Sequence, residues 1–163
     1  MKQIPLTQGK VALVDDVDFK ELSKHKWCAY KRGSTFYAAR NQPLGNGKRK
    51  TIRMHRQIMD ALGGVFTDHA NHDGLDNQRS NLRSCTNSEN QRNRLPQRGG
   101  TSEYKGVSWN KAKKKWVAGI QHNNKVIHLG CFNSEREAAK TYDKKAKELF
   151  GEFANPNFKE AKL

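Results

Sequence analysis

The sequence predicts an α+β protein made of two small domains, and three observations support this. First, 163 residues are enough for one domain or two, since a unit of about 60 residues is near the lower limit for folding alone. Second, the stretch RLPQRGGTSE at 94–103 combines Pro, Gly, Ser and Thr without periodic apolar residues, which is typical of a linker. Third, short strands occur on both sides of this stretch, and the best helix follows it. We therefore expect domains at residues 1–96 and 97–163.

The N-terminal domain is predicted to contain mixed strands and short helices. The segments KVALV, KWCAY and TFYAAR have the β-branched, aromatic and apolar character of short strands. DDVDFKELSKH begins with Asp residues that suit a helix N-terminus, and HRQIMDAL resembles another helical segment. NLRSCT predicts a strand ending at Thr86 or Asn87, either of which can cap a helix over SENQRNR. A strand, a polar loop, a second strand and a helix make a ββα unit.

The C-terminal domain is predicted to be a three-stranded antiparallel sheet packed on one helix. YKGVSWN, KWVAGIQ and KVIHLG are the strands, and Asn123 and Asn124 tolerate the positive φ of a tight hairpin turn between the last two. The helix is NSEREAAKTYDKKAKELFG, in which apolar residues recur at helical spacing. Ser134 and Glu137 form a possible capping box, and Gly151 suits the C-terminal cap.

The composition limits the classes of partner and cofactor. Lys and Arg number 31 against 16 Asp and Glu, giving a net charge of +15, so a polyanionic partner is expected, although a solvated lysine-rich surface has the same signature. The three cysteines include no C-x-x-C pair, so neither a structural zinc nor a disulfide framework is expected. No signal-peptide core or stretch of about 20 apolar residues is present, so we expect an intracellular protein without a membrane partner.

Residues 68–93, DHANHDGLDNQRSNLRSCTNSENQRN, concentrate groups that suit phosphate chemistry. Asp68 offers a charged oxygen ligand and Asn90 a neutral one, a sparse set that suits Mg²⁺ or Mn²⁺. His69 is a candidate general base, because a neutral imidazole titrates near physiological pH. Neighbours on an ideal strand face opposite sides, so Asp68 and His69 share a site only if the strand twists or ends there.

The spacing of Asp68, His69, Asn81 and Asn90 resembles the HNH endonuclease motif, and MHR at 54–56 with LDNxxxNLR is similar to its phage and homing-endonuclease branch. This resemblance covers about residues 50–95, the ββα-metal core. It implies that His69 activates the water that attacks a DNA phosphate, while Asp68 and Asn90 hold one divalent metal. It also implies that Asn81 orients His69 and ties the loop together.

Several polar residues near this motif are open to two interpretations. His55 is either a structural hydrogen-bonding group or a phosphate contact. The loop residues are more typical of turn-forming and hydrogen-bonding positions than of ligands; they are His72, Asp73, Asp76 and Asn77. Upstream, the basic residues either touch flanking DNA or face water; they are Lys31, Arg32 and the run Lys48 to Lys50.

The segments KGVSWNKAKKKWVAGIQ, KVIHLGCFNSEREAAKTYD and GEFANPNF together resemble the plant APETALA2/ethylene-response DNA-binding domain over about residues 101–158. In that family a three-stranded sheet lies in the major groove, which implies a contact face here. The implied DNA-contacting residues are Lys105, Ser108, Asn110, Lys115, Gln121, Lys125 and His128. The plant domains use several Arg where this sequence has Lys, Ser, Asn or Gln, which weakens guanine recognition.

Together these patterns predict a metal-dependent endonuclease of the phage or homing type that nicks duplex DNA, with a C-terminal sheet that reads it. Such a protein would act as a monomer or as a transient dimer on DNA, in a bacterial or phage-infected cell. A DNA-binding regulator with a decayed nuclease unit is the alternative. An RNA-directed nuclease or RNA-binding accessory protein is a third possibility, although the major groove of A-form RNA is too narrow for a sheet.

Overall fold

The computed structural model describes residues 1–33, 35–60, 65–94 and 99–158. The chain divides into two compact units, Met1–Asn90 and Gln91–Leu163. Small antiparallel sheets combine with four α-helices among the described residues, which confirms the α+β class. The predicted linker lies partly outside these residues, since 95–98 are not among them, and the boundary at 96/97 stays a prediction. No described helix is long and apolar enough to cross a membrane.

Residues 1–92 contain three small antiparallel sheets, formed by β1 and β2, by β3, β4 and β5, and by β6 and β7. The elements are β1 (Lys2–Pro5), β2 (Val11–Val14), α1 (Asp16–Leu22), β3 (Cys28–Arg32), β4 (Thr35–Gly45), β5 (Lys48–Arg53), α2 (Met54–Ile58), β6 (Phe66–His69), β7 (Leu82–Cys85) and α3 (Asn87–Arg92).

The core of the first unit joins these sheets to the two helices α1 and α2. Val14, Ala38 and Met54 are fully buried and belong to one apolar cluster with Trp27 and Leu82. Ile4 of β1 and Ala29 of β3 are the single buried residues of their strands, as expected of sheets with one solvated face. The β6–β7 hairpin is therefore anchored to this core at Leu82, directly opposite His69 in the register.

Two strands and one helix end differ from the sequence-based prediction. Strands β1 and β5 were not predicted, because KQIP and KRKTIR are short and polar and lack alternating apolar residues. The helix predicted over HRQIMDAL ends at Ile58, and its last two residues lie outside the described ranges. The polar character of β5 shows that pairing with β4, rather than its own pattern, makes it a strand.

The second unit has the predicted three-stranded antiparallel sheet, with β9 in the centre, and one helix. Its elements are β8 (Val107–Asn110), β9 (Lys115–His122), β10 (Lys125–Phe132) and α4 (Glu135–Phe150). Asn123 and Asn124 form the β9–β10 turn with φ of 48° and 60°, as predicted. The Ser134 hydroxyl accepts the Glu137 N–H at the start of α4, which confirms the Ser134 half of the predicted capping box.

Helix α4 covers one face of this sheet and leaves the other face uncovered within the unit. Ala118 and Ile120 of β9 point to the helix and are buried, whereas Gln121 is exposed. Gly106 is required at the sheet edge, because a Cβ there would lie 2.0 Å from the Tyr142 ring of α4. The buried Asp143 accepts the N–H groups of residues 157 and 158 at 2.8 and 2.9 Å, which fastens the segment after α4.

Candidate functional site

The predicted polar cluster lies on the β6–β7 hairpin and the loop between its strands. Asp68 pairs with Arg83 and His69 pairs with Leu82 in the antiparallel register. Strand β6 ends at His69, which meets the condition under which adjacent residues can serve one site. Both side chains are withdrawn from solvent, since Asp68 is 7% exposed and His69 is 6% exposed. Such burial is unusual for ordinary loop residues.

The His69 ring lies among aromatic neighbours from outside the motif. Its centroid is 4.9 Å from that of His55, with the two ring planes at 85°, and 5.7 Å from that of Tyr37. Tyr37 and His55 also contact each other, at 5.6 Å. Tyr37 comes from β4 and His55 from α2. Strand β4 and helix α2 therefore form one wall of the site, and their two rings restrict the rotation of the His69 imidazole.

Burial lowers the pKa of both histidines. For His69, the proximity of Asn77 and of nearby carboxylates acts in the opposite direction. Burial, with smaller effects from His69 and two arginines, lowers the pKa of His55 to about 3. A neutral imidazole is the form that accepts a proton, so the burial of His69 favours the protonation state required of a general base.

Asn81 connects the two ends of the loop. Its side-chain oxygen accepts the Asn71 N–H at 3.0 Å, and its amide donates to the carbonyl oxygen of Asp76 at 2.8 Å. The fully buried Asn77 lies in the same loop, and its amide donates to the carbonyl oxygen of Leu75 at 3.0 Å. Asn81 thus closes the loop, while its predicted role in orienting His69 stays a prediction.

The loop is also fastened to the start of the chain. The backbone of residues 75–77 bonds to both backbone groups of Leu13 on β2, at 2.9 and 2.8 Å. Asp15 accepts the backbone N–H of Arg79 at 2.8 Å, and the Arg79 guanidinium forms a two-point ion pair with Asp18. The position of the loop therefore depends on β2 and α1, far from the motif in sequence.

The proposed metal ligands are a buried carboxylate and a partly exposed amide. Asp68 forms an ion pair with Arg83 at 2.5 Å, and Asn90 lies on α3, where its N–H donates to Thr86. No group of three His, Cys, Asp or Glu side chains in the described ranges is placed to hold a metal. The oxygen donors fit a hard divalent cation whose remaining ligands are water and phosphate, as is usual for Mg²⁺.

Thr86 begins α3 with a reciprocal cap. Its hydroxyl accepts the Glu89 N–H at 3.2 Å, and the Glu89 carboxylate accepts the Thr86 N–H at 2.8 Å. This fixes the direction in which α3 leaves β7 and thereby the position of Asn90, one residue further along. Thr86 is one of the two caps that the sequence predicted.

In the second unit most of the predicted DNA-contacting residues lie on the exposed face of the sheet or at its rim. The exposed members are Ser108, Lys115, Gln121, Lys125 and His128, and Asn110 is half-buried. Ser108, Gln121 and His128 line a shallow depression of about 410 Å³ over Gly119, whose other walls include Val117 and Val126. Gln121 and Val126 are directly opposite in the β9–β10 register. The depression thus combines an amide with exposed methyl groups.

Two predicted contact residues have other positions. Lys105 is half-buried, and its ammonium donates to the carbonyl oxygens of Arg92 and of Arg94, the latter at 2.9 Å. Burial lowers its pKa to about 8. The Lys105 ammonium is therefore engaged by the backbone, and its assignment to the contact face stays a prediction. His55 is 5% exposed and packs on His69, a placement that favours a role inside the site.

Sequence reasoning missed Tyr37, Asn77 and Arg83 as parts of the site. Arg83 and Asn77 lie in LDNxxxNLR, so the motif did mark their positions. The motif does not distinguish residues that form turns from residues that belong to the site. Tyr37 gave no such signal, because an aromatic residue on a predicted strand is ordinarily a core residue. Its contact with His69 arises from tertiary packing alone.

Comparisons with known proteins agree with the motif. No family model matches the chain. An uncharacterized HNH endonuclease of Acanthamoeba polyphaga mimivirus is 33% identical over 156 residues, which are 92% of this chain and 76% of the relative. Protein 3.8 of Escherichia phage T7 is 30% identical over 115 residues, 64% of this chain and 90% of that protein. An ethylene-responsive transcription factor of Arabidopsis thaliana is 39% identical over 61 residues, 36% of this chain but 14% of the factor.

Proposed function

Because the chain belongs to the HNH endonuclease family and is thus a nuclease, we propose that it hydrolyses a phosphodiester bond of duplex DNA at the site around His69. The observation that carries the proposal is the His69 imidazole, which is buried beside Asp68 and restrained by the rings of Tyr37 and His55, and whose pKa is lowered by that burial. These are the properties of a positioned general base.

The reaction follows from the chemistry of these side chains. His69 takes a proton from a water molecule as the water oxygen forms a bond to phosphorus. The bond between phosphorus and the 3′-oxygen breaks, and that oxygen leaves and takes up a proton. Tyr37 and His55 keep the imidazole in one orientation, which matters because a displacement of about 1 Å at a reacting group can cost roughly 100-fold in rate.

We propose that Asp68 and Asn90 hold one divalent cation, Mg²⁺ or Mn²⁺. When bound, it would stabilise the charge on the crowded phosphate and on the departing oxygen. Arg83 holds the Asp68 carboxylate in an ion pair. The Asn90 side chain is directed by the capped start of α3.

The second unit is proposed to read the same DNA with its exposed sheet face. Its residues from 97 onward carry 14 Lys and Arg against 7 Asp and Glu, and its partial likeness to a plant transcription factor supports this role. One ββα site cuts one strand per encounter, so nicking is expected, by a monomer or a transient dimer. The similarity to phage Protein 3.8 and to a viral HNH endonuclease supports a phage-type or homing role.

A plasmid assay tests the catalytic proposal. Supercoiled plasmid is incubated with the protein, with His69→Ala and with a control, His72→Asn, which removes a nearby histidine whose φ of 67° asparagine tolerates. We expect Mg²⁺- or Mn²⁺-dependent nicking by the wild type and the control, abolished by chelator and by His69→Ala. Equal nicking by His69→Ala would refute the assignment of the base.

The alternative is a DNA-binding regulator whose nuclease unit is decayed. It predicts retardation of duplex DNA by all three proteins and cleavage by none of them, on genomic DNA fragments as well as on plasmid. Tighter binding and cleavage of structured RNA than of duplex DNA in a salt series would instead favour an RNA-directed nuclease.

A further inference from the structure

The basic charge of the first unit is concentrated in one sheet. Residues 26–53, which include β3, β4 and β5, contain eight Lys and Arg and no Asp or Glu. The other residues of Met1–Asn90 contain seven basic and nine acidic side chains. The excess positive charge of this unit therefore lies entirely in the segment that forms the sheet, and such segregation marks a surface for a polyanion.

The outer half of this sheet is a two-stranded ribbon, residues 41–51, that the rest of the described unit does not cover. Every residue from Asn41 to Thr51 is exposed, on both strands. The turn at its tip contains Asn46 and Gly47, with φ of 49° and 71°, and Leu44 beside it is 60% exposed. A two-stranded hairpin gains little stability by itself, so burial of apolar surface does not account for this ribbon.

The basic side chains of the ribbon are available for binding. Lys48, Arg49 and Lys50 lie on β5, where Lys50 pairs with Gln42 and Arg49 with Pro43 across the ribbon. None of the ion pairs found among the described residues involves these three side chains. Within the described part of the chain, no ion pair therefore neutralises these three charges.

Strand β4 connects the ribbon directly to the candidate active site. Tyr37, near its beginning, contacts the rings of His55 and His69, and Gly45 ends the strand at the tip of the ribbon. Eight residues at about 3.3 Å each span about 26 Å. This distance corresponds to about eight nucleotide steps along one DNA strand, at about 3.4 Å per step.

We propose that the ribbon 41–51 lies in the major groove of duplex DNA to one side of the cleaved phosphate, with Lys48, Arg49 and Lys50 against the phosphates of that groove. The major groove of B-DNA admits a two-stranded ribbon, whereas that of A-form RNA does not. This inference rests on the proposed cleavage of duplex DNA at His69. It assigns the nuclease unit its own DNA-binding surface, in addition to the sheet of the second unit.

The test compares two variants with the same loss of charge. In the ribbon variant Lys48, Arg49 and Lys50 are replaced by Gln; in the control Lys140, Lys144 and Lys147 of α4 are replaced by Gln. Binding of a fluorescent duplex that contains a mapped cleavage site is measured from 50 to 300 mM salt, in chelator so that the duplex stays intact. Circular dichroism verifies that both variants are folded.

We expect the slope of log K against log salt to fall by about 2.7 in the ribbon variant, since each phosphate contact contributes about 0.9, and by less than 1 in the control. Hydroxyl-radical protection should shorten by up to about eight nucleotides on one side of the cut. Equal slopes for the two variants, or unchanged protection, would overturn the ribbon proposal while leaving cleavage intact. Absence of duplex cleavage by the wild type would instead refute the proposed function.

Preferential binding of the wild type to double-stranded RNA, with the same dependence on Lys48, Arg49 and Lys50, would also overturn the proposal, because the occupant would then be a different nucleic acid.

Discussion

Gly74 offers a stringent test of the structural link between the loop and the general base. It is buried in the loop between β6 and β7, and a Cβ at this position would lie 2.4 Å from the carbonyl oxygen of Phe36 and 2.7 Å from the Tyr37 ring. In Gly74→Ala the loop and β4 must separate by about 0.6 Å or more to restore contacts of at least about 3.0 Å. Phe36 contributes a backbone atom, so no change of rotamer relieves the overlap.

The overlap should cost about 1–3 kcal/mol of folding free energy, as overpacking typically does, and lower the melting temperature by roughly 4–8 °C per kcal/mol for a unit of this size. It should also displace Tyr37 relative to His69, so we expect the nicking rate to fall by about 10- to 100-fold at temperatures where the variant is fully folded. The assays are thermal unfolding by circular dichroism and single-turnover nicking of the plasmid.

Gly100→Ala is the matched control, because a Cβ there meets no atom closer than 3.4 Å and the residue belongs to the second unit. It should leave both quantities nearly unchanged. A Gly74→Ala variant with wild-type melting and nicking would show that the loop does not press against β4, and the inference that Tyr37 positions His69 would fail with it.

Three further outcomes are expected. Lys115→Met should lower the slope of log K against log salt for DNA binding by about 0.9. Lys105→Met should leave this slope unchanged, because the Lys105 ammonium is already bound to backbone carbonyl oxygens. Fluorescence anisotropy titrations of the two variants measure the slopes. Folding lowers the pKa of His55 from 6.5 to about 3. Between these pH values the unfolded state binds more protons than the folded state, so the free energy of unfolding declines as the pH falls below 6.5. In urea unfolding at about pH 4, His55→Phe should recover about 3 kcal/mol of that loss. In duplexes selected for binding, Gln121→Arg should raise the ratio of guanine to adenine at the contacted base by about tenfold or more, since arginine pairs with guanine and glutamine with adenine. An unchanged ratio would show that Gln121 does not contact that base.

Local signals predicted the elements whose structure depends on nearby residues. The cap at Ser134, the turn at Asn123 and Asn124, and the helix start at Thr86 are decided within three or four residues, and each is present. The strand β5 and the contact of Tyr37 with His69 depend on partners far along the chain, so no local pattern encodes them.

The candidate site shows the same division. The spacing of the motif identified Asp68 and His69, which are buried as neighbours at the end of β6. It could not show that the Asn81 side chain bonds to Asn71 and Asp76 across the loop, because only the fold decides which backbone groups an asparagine side chain reaches. The bonds of the Lys105 ammonium to backbone carbonyl oxygens were not predictable for a related reason, since a lysine near a sheet edge carries no sequence mark of the carbonyl groups it meets.

The bonds that join the loop to Leu13, Asp15 and Asp18 have a consequence for engineering and for evolution by recombination. A fragment that begins near residue 50 would contain the complete motif, yet the loop would lose the strand and helix that hold it. The smallest transferable nuclease cassette is therefore the whole of the first unit. Exchanges between related enzymes should succeed when the crossover falls after α3 and fail when it falls between β2 and the motif.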